Sequence, residues 1–381
     1  MKIAVIHDWL VTYAGAERVL EQILYCFPDA DLFCVVDFLS PNQRGFLKGK
    51  NPHPTFIQRL PLAPKKYRSY LPIMPFAIER LDLRDYDLVL SSSHAVAKGV
   101  KTRPEQLHIS YIHSPMRYAW ELQEQYLRET GLDSGLKGAV VRWLLKRLRA
   151  WDLRNNRRIQ QLIANSGYIS RRINNCYGRE STVIYPPVSV DDFSGEEARE
   201  GFYLTVSRLV PYKKVDLIAA AFRGMPEKEL LIIGDGPDYE KVRRSAGPNV
   251  RMLGALPFQE MKRLLQKACA FVFAAEEDFG ISVVEAQAAG TPVIAFGRGG
   301  ALETVRGPEA PYPTGIFFQE QSISALQAAV RAFEERREMF SPEHCRSNAR
   351  NFDVSRFRSA YSSFVKERWE EFQTRPPRSP T

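Results

Sequence analysis

Short apolar runs of four to six residues, rich in Val and Ile, recur along the chain with helical stretches between most of them. A run of that length, apolar at nearly every position, suits a strand buried on both faces of a parallel sheet. In the first half the runs fall at 2–6, 31–36, 87–91, 108–112, 160–164 and 182–185. In the second half they fall at 202–206, 229–233, 249–253, 270–274, 292–296 and 315–318. The alternation predicts an α/β fold with two doubly wound, Rossmann-like sheets. Between the two sets lies YPPVSVDDFSGEEARE (185–200), which has a Pro-Pro pair, an acidic cluster and no helical period. Proline fixes φ and removes a donor, so Pro186 and Pro187 mark a linker. Domains over 1–187 and 188–352 are therefore expected, with a deep cleft between the carboxyl ends of their sheets, where such sheets bind ligands.

The N-terminus, MKIAVIHDWL, passes from a short apolar run straight to His7 and Asp8, which reads as a first strand and not as a signal peptide. No window offers the roughly 18 apolar residues of a membrane helix. Five widely spaced cysteines without a C-x-x-C pair disfavour both a disulfide framework and a zinc site, and suit reduced thiols in a cytoplasm. Residues 1–190 hold 27 basic and 17 acidic side chains, a balance of +10, so the excess behind the net charge of +9 lies entirely in them. That bias points to an anionic ligand or surface. Within it, 139–158 reads as a helix with Val140, Trp143, Leu144, Leu148 and Trp151 at helical spacing, seven basic residues and only Asp152 against them. A basic helix with tryptophans can lie on an anionic membrane. Lys65, Lys66, Tyr67, Arg68 and Tyr70, in the irregular Pro-rich region 41–80, could extend that patch.

Chemistry concentrates after the strands. In AAEEDFGISVVEAQAAGTPVIAF (274–296), Glu277 and Glu285 are separated by seven residues with Phe279 and Gly280 between them. Gly280 lets backbone approach a ligand, and the helix that starts there offers unpaired N–H groups to phosphate or sugar oxygens. Glu285 lies in an apolar helix, where a carboxylate needs partners. Arg208 and Lys213 follow the first strand of the second domain and suit a diphosphate, with Lys214 competing for the role of Lys213. Gly234-Asp235-Gly236-Pro237 makes a tight turn after a strand and could touch a nucleotide base or ribose. In the first domain, Gly15 precedes a helix start open to an anion. His113 and Ser114 follow the strand at 108–112, near Arg117. Asp85-Tyr86-Asp87 precedes its strand, so it reads as a turn and not as a metal pair. The dinucleotide signature G-x-G-x-x-G fails twice: position 239 is Tyr after Gly234-Asp235-Gly236, and position 302 is Leu after Gly297, Gly299 and Gly300.

With these residues in view, the chain resembles the retaining glycosyltransferases of family 4, which have the GT-B fold. The likeness rests on EDFGISVVEAQAAGTPVIAF, SRLVPYKKVD and GDGP, in the family's order and spacing. It implies that Glu277 lies near donor sugar hydroxyls and Glu285 holds the ribose. It implies that backbone N–H groups at Phe279, Gly280 and Ile281 meet the sugar, and that Arg208 and Lys213 neutralise the leaving diphosphate. Ala14-Gly15-Ala16-Glu17 stands where the family commonly has Gly-Gly. IHSPMRYAWE is similar to segments of mannosyltransferases of bacterial polysaccharide and O-antigen assembly. DVSRFRSAYSSFVKERWEEF (353–372) is similar to the helix that returns to the first domain.

The implied reaction needs neither metal nor cofactor. Arg208, Lys213 and helix N-terminal amides would stabilise the charge growing on the β-phosphate. The acceptor hydroxyl would approach near His113 and Asp8. The expected donor is GDP-mannose, and the expected acceptor is lipid-linked or an oligosaccharide, at the inner face of the plasma membrane. A UDP-sugar donor and a GT-B sugar-nucleotide epimerase are the alternatives. A nucleic-acid partner is not expected, because no recognisable binding motif accompanies the basic half.

Overall fold

The computed structural model describes residues 1–120, 127, 134–195 and 197–374. The chain divides into two compact units. The first comprises Met1–Tyr185 and the chain from Phe357 onward, and the second is Pro186–Arg356. Each of the twelve apolar runs becomes a strand of a parallel sheet.

In the first unit the strands are β1 (Ile3–Leu10), β2 (Asp31–Asp37), β3 (His53–Pro54), β4 (Leu88–Ser93), β5 (Leu107–Ile112), β6 (Gln161–Ala164) and β7 (Thr182–Val183). They are ordered β3-β2-β1-β4-β5-β6-β7. The second unit holds β8 (Tyr203–Val206), β9 (Leu230–Ile233), β10 (Val250–Gly254), β11 (Ala270–Phe273), β12 (Val293–Phe296) and β13 (Gly315–Phe318). Their order is β10-β9-β8-β11-β12-β13. In each sheet the chain winds outward from a central strand, then returns to that strand's other side and winds out the opposite way. The loops after β1 and β4, and those after β8 and β11, therefore diverge at a switch point, where a sheet of this kind opens for a ligand.

Helices cover the sheets for the reason their spacing implies. The helix Gly15–Cys26 buries Val19, Leu20 and Ile23 against the first sheet. The terminal helix Val354–Gln373 buries Phe357, Tyr361 and Val365, four residues apart, in the same cluster as Val5, Leu32 and Leu90. Each such side chain contributes about 1.5–3 kcal/mol by leaving water. The linker and the returning segment are joined: Val188 N–H donates to Phe352 O at 2.9 Å, and Val354 N–H donates to Val188 O at 3.2 Å.

The helix Gly135–Asn156 changes character along its length. Leu145, Leu148 and Trp151 are buried, whereas Leu136, Val140 and Trp143 are 83%, 50% and 54% exposed. Its buried acid, Asp152, pairs with buried Lys98 at 3.0 Å and accepts hydrogen bonds from Trp120 Nε1 and Tyr177 Oη. Removing one partner of such a buried pair costs about 3–5 kcal/mol. Region 41–80 forms a series of short helical turns, including Phe56–Arg59, Ala63–Lys66 and Met74–Ile78, together with the two-residue edge strand β3. Asp87 does stand at a strand start, where its carboxylate accepts the Lys2 N–H at 2.6 Å. All five cysteines are free thiols. Most of the tail TRPPRSPT, expected to fray, lies outside the described residues, as does Glu121.

Candidate active site

In the second unit, the residues singled out by sequence come together at the switch point between β8 and β11. Arg208 and Lys213 lie on the loop after β8, and Glu277 on the loop after β11. Lys213 Nζ and the Glu277 carboxylate form an ion pair, both side chains being mostly buried. The ammonium also lies 5.7 Å from the ring centre of Tyr212 and 5.9 Å from that of Phe273. Arg208 is exposed. Lys214, the rival of Lys213, has φ 55°, a left-handed backbone state, at the start of the helix Val215–Arg223. The cation paired with Glu277 is thus Lys213.

Glycines hold these loops by close backbone approach. Gly234 has φ 136°, and a Cβ there would overlap the Ser207 carbonyl. A Cβ on Gly236 would overlap the Leu209 carbonyl. The crossing is sealed by Ser207 N–H to Ile233 O at 3.0 Å, Leu209 N–H to Asp235 O at 2.9 Å and Asp238 N–H to Leu209 O at 3.0 Å. Gly234 and Gly236 therefore shape the loop that carries Arg208. The Asp235 side chain is exposed and accepts the Gly236 N–H at 2.7 Å.

The second loop is held in the same way. Gly299 and Gly300 press on the backbone of Glu277–Phe279, and Gly300 N–H donates to Glu277 O at 2.7 Å. Sequence reasoning missed this use and weighed these glycines only for a dinucleotide motif; a glycine pair just after a buried strand was the available signal. Phe279 is buried, its ring edge-to-face with Phe352 at 5.4 Å, so its side chain serves packing. Gly280 has φ 87° and starts the helix Ile281–Ala288 with no side-chain cap. Glu285 is buried about one turn along that helix, as its apolar surroundings imply.

The first unit's switch point has a different character. Asp8 is fully buried at the end of β1. Its carboxylate accepts four backbone N–H groups, from His94, Ala95, Val96 and Ala97, at 2.6–2.9 Å, and pairs with His94 Nδ1 at 3.2 Å. Burial alone would raise its pKa, but the charges of His94 and His7 and these amides reverse that and lower it. Asp8 was expected to meet the acceptor. Its lone pairs are instead taken up in fixing the turn after β4.

Gly15 opens the helix Gly15–Cys26 as expected, yet Glu17 Oε2 already accepts the Ala14 N–H at 3.0 Å. That carboxylate gives the helix start a negative charge of its own, which counters an anionic ligand there. His113 is half-buried after β5, its Nε2 2.8 Å from Ser92 Oγ. Burial, and then the neighbouring His94 and His7, push its pKa well below the ordinary histidine value. Arg117 is half-buried in the turn that follows. Sequence reasoning missed Ser92, His94, Glu17 and the part played by His7. The signal was Ser91-Ser92-Ser93, three hydroxyls ending an apolar strand, where buried polar groups require partners.

Comparison with known proteins agrees with this layout. Residues 13–192 match Glycosyltransferase Family 4, and residues 190–352 match Glycosyl transferases group 1. The fold and these matches define a GT-B glycosyltransferase architecture. The chain carries a family 4 glycosyltransferase domain followed by a group 1 glycosyltransferase domain. It is 35% identical to a GDP-mannose-dependent monoacylated alpha-(1-6)-phosphatidylinositol monomannoside mannosyltransferase of Corynebacterium glutamicum, over 37% of this chain and 45% of that protein. It is 29% identical to the O-antigen chain mannosyltransferase RfbU of Salmonella typhimurium, over 42% of this chain and 47% of that protein. The matches thus span about half the length of these relatives. Among solved structures, Anabaena HepE in complex with UDP and glucose is 17% identical with a TM-score of 0.69, over 96% of this chain and 99% of that one.

Proposed function

We propose that this chain transfers a mannosyl group from GDP-mannose to a lipid-linked or saccharide acceptor in cell-surface polysaccharide assembly, with retention at the anomeric carbon and without a metal. The observation that carries the proposal is the Lys213–Glu277 pair at the switch point of the second sheet, with Arg208 on the same loop as Lys213. The anomeric carbon loses its bond to the β-phosphate oxygen and gains one to the acceptor oxygen, and the departing phosphate takes the acceptor's proton. Negative charge grows on that phosphate, and a preorganised cation acts where charge develops. When Lys213 turns to the diphosphate, the Glu277 carboxylate is released to accept hydrogen bonds from sugar hydroxyls. The free ion pair thereby keeps both groups in place without leaving either charge uncompensated. Mannose is supported by the named donors of relatives. A UDP-sugar is the second reading, supported by the UDP in the HepE structure.

The test is incubation with radiolabelled GDP-mannose, chelator and polyprenyl-diphosphate-linked saccharides. An α-linked mannosyl product is expected. Turnover of UDP-hexose alone would overturn the mannose assignment, and release of a free C2-epimerised sugar would overturn transfer itself.

The same proposal places the chain on an anionic membrane. No helix of the described residues is long and apolar enough to cross one. Leu136, Val140 and Trp143 instead form an exposed apolar stripe at i, i+4 and i+7, beside Lys137, Lys146 and Arg147. Arg147 lies over the Trp143 ring at 4.8 Å. Sedimentation with vesicles rich in phosphatidylglycerol is expected to retain the protein. Trp143→Ser with Lys146→Glu should release it roughly tenfold, because each basic residue near such a surface adds about 1 kcal/mol.

A further inference from the structure

Glu17, His7, Ser92 and His113 form one continuous polar line in the first unit. Glu17 Oε1 lies 3.5 Å from His7 Nε2, His7 Nδ1 lies 3.2 Å from Ser92 Oγ, and Ser92 Oγ lies 2.8 Å from His113 Nε2. His7 and Ser92 are fully buried, and Glu17 nearly so. A serine hydroxyl has one proton, so it donates to one imidazole and accepts from the other. With both rings neutral, two arrangements exist. In one, His7 carries its proton on Nε2, Ser92 donates to His7 Nδ1, and His113 donates from Nε2. In the other every bond is reversed, and the bare Nε2 of His7 faces the Glu17 carboxylate.

Glu17 decides between them. Its second oxygen accepts the Ala14 N–H at 3.0 Å, a contact that favours the carboxylate form. Burial would raise its pKa, but the hydrogen bond with His7 and the backbone amide lower it on balance. A carboxylate accepts and does not donate, so a bare nitrogen against it in a dry site is unfavourable. We infer that Glu17, acting through His7 and Ser92, fixes His113 as the Nε2-protonated tautomer and leaves its Nδ1 a bare acceptor. Nδ1 of His113 has no hydrogen-bond partner among the described residues. The other groups around the ring are Tyr111, 5.2 Å away between ring centres, and His94, 6.2 Å away and held by Asp8. Glu17, His7 and Ser92 are then positioning residues. The use of Nδ1, to accept a hydrogen bond from a neighbouring, non-reacting hydroxyl of the acceptor and so orient it, rests on the transferase reading above; the tautomer does not.

The test is long-range proton–nitrogen correlation NMR of the full chain labelled on histidine, at pH 8, with His113 assigned by its loss in His113→Asn. The wild type is expected to carry the His113 proton on Nε2. In Glu17→Gln the amide can donate to His7 Nε2, which reverses the line and moves the His113 proton to Nδ1. Ser92→Ala cuts the line, so adding Glu17→Gln to it should leave His113 unchanged. A wild-type His113 protonated on Nδ1 overturns the inference. So does a His113 indifferent to Glu17→Gln in a variant whose amide spectrum remains native. Where transfer activity is present, Glu17→Gln is expected to lower kcat by roughly 10²-fold with nucleotide binding unchanged. An inverted tautomer with unchanged kcat removes the proposed use of Nδ1. The expected tautomers without any transfer activity in the wild type would instead count against the transferase reading.

Discussion

The two sheets are wound alike, yet their switch points are built in opposite ways. In the first unit, polar side chains consume one another: Asp8 holds a turn through four amides, and Glu17, His7, Ser92 and His113 share protons in a line. In the second unit the backbone is held by glycines pressed against neighbouring loops, and the charged side chains remain for other work. Lys213 and Glu277 pair with each other, and Arg208 is exposed. A buried polar network yields a precise position at the cost of sensitivity, since each unmade bond is expensive. Close backbone approach gives the same precision while leaving ionised groups free to change partners.

Substitutions should separate these designs. Lys213→Ala is expected to give the largest effect, a loss in kcat of roughly 10²–10³-fold, like other removals of a transition-state donor. Its cost in stability should be smaller than the roughly 3–5 kcal/mol of a fully buried pair, because Lys213 and Glu277 keep 17% and 14% exposure, which scanning calorimetry beside steady-state kinetics would show. Asp8→Ala should act mainly on stability. It orphans four buried amides and should cost the first unit about 3 kcal/mol, read as a lower unfolding midpoint for that unit alone. A loss of activity without a loss of stability would return Asp8 to the acceptor side. Gly234→Ala should cost the second unit about 1–3 kcal/mol, because its Cβ meets a carbonyl and its φ is positive.

The smallest effect is on pH dependence. Burial, with a smaller push from Arg179, drops the His108 pKa from 6.5 to about 3. The unfolded chain therefore binds the proton first, and stability falls as pH falls from 6.5 toward 3. At pH 6 this single group costs about 1 kcal/mol. His94 and His113 are lowered too and act in the same direction, and the lowered carboxylates of Asp8 and Glu17 extend the loss to lower pH. No such histidine is described in the second unit, so acid titration should unfold the first unit first. Simultaneous loss of both would break the contrast.

What could be read from sequence follows the range of each interaction. Twelve strands were legible, most of them because a parallel strand buried on both faces leaves an unbroken apolar run; β7 and β10, at the sheet edges, are largely uncovered. The strand β3 was not legible, being two residues in a Pro-rich stretch. Glu277, Gly280 and Glu285 were legible because they share one strand, loop and helix. Lys213 could not be separated from Lys214, since the choice rests on a left-handed backbone angle. The helix stripe was seen, but periodicity does not say which of its residues are covered: Leu148 and Trp151 are, and Val140 and Trp143 are not. The amide contacts of Asp8 and the place of Ser92 were not legible, for one reason. The contacts of Asp8 with the turn after β4, and of Ser92 with His7, span 85 or more residues, and only the winding of the sheet brings them together.

The central claim is that the switch point of the second sheet holds a nucleoside diphosphate. Calorimetric titration with GDP, UDP and ADP, in chelator, on the wild type and on Glu285→Ala tests it most directly. The account predicts binding of GDP above the other two, weakened in the variant. A folded wild-type chain that binds none of the three, or a variant that binds GDP as tightly as the wild type, would contradict it.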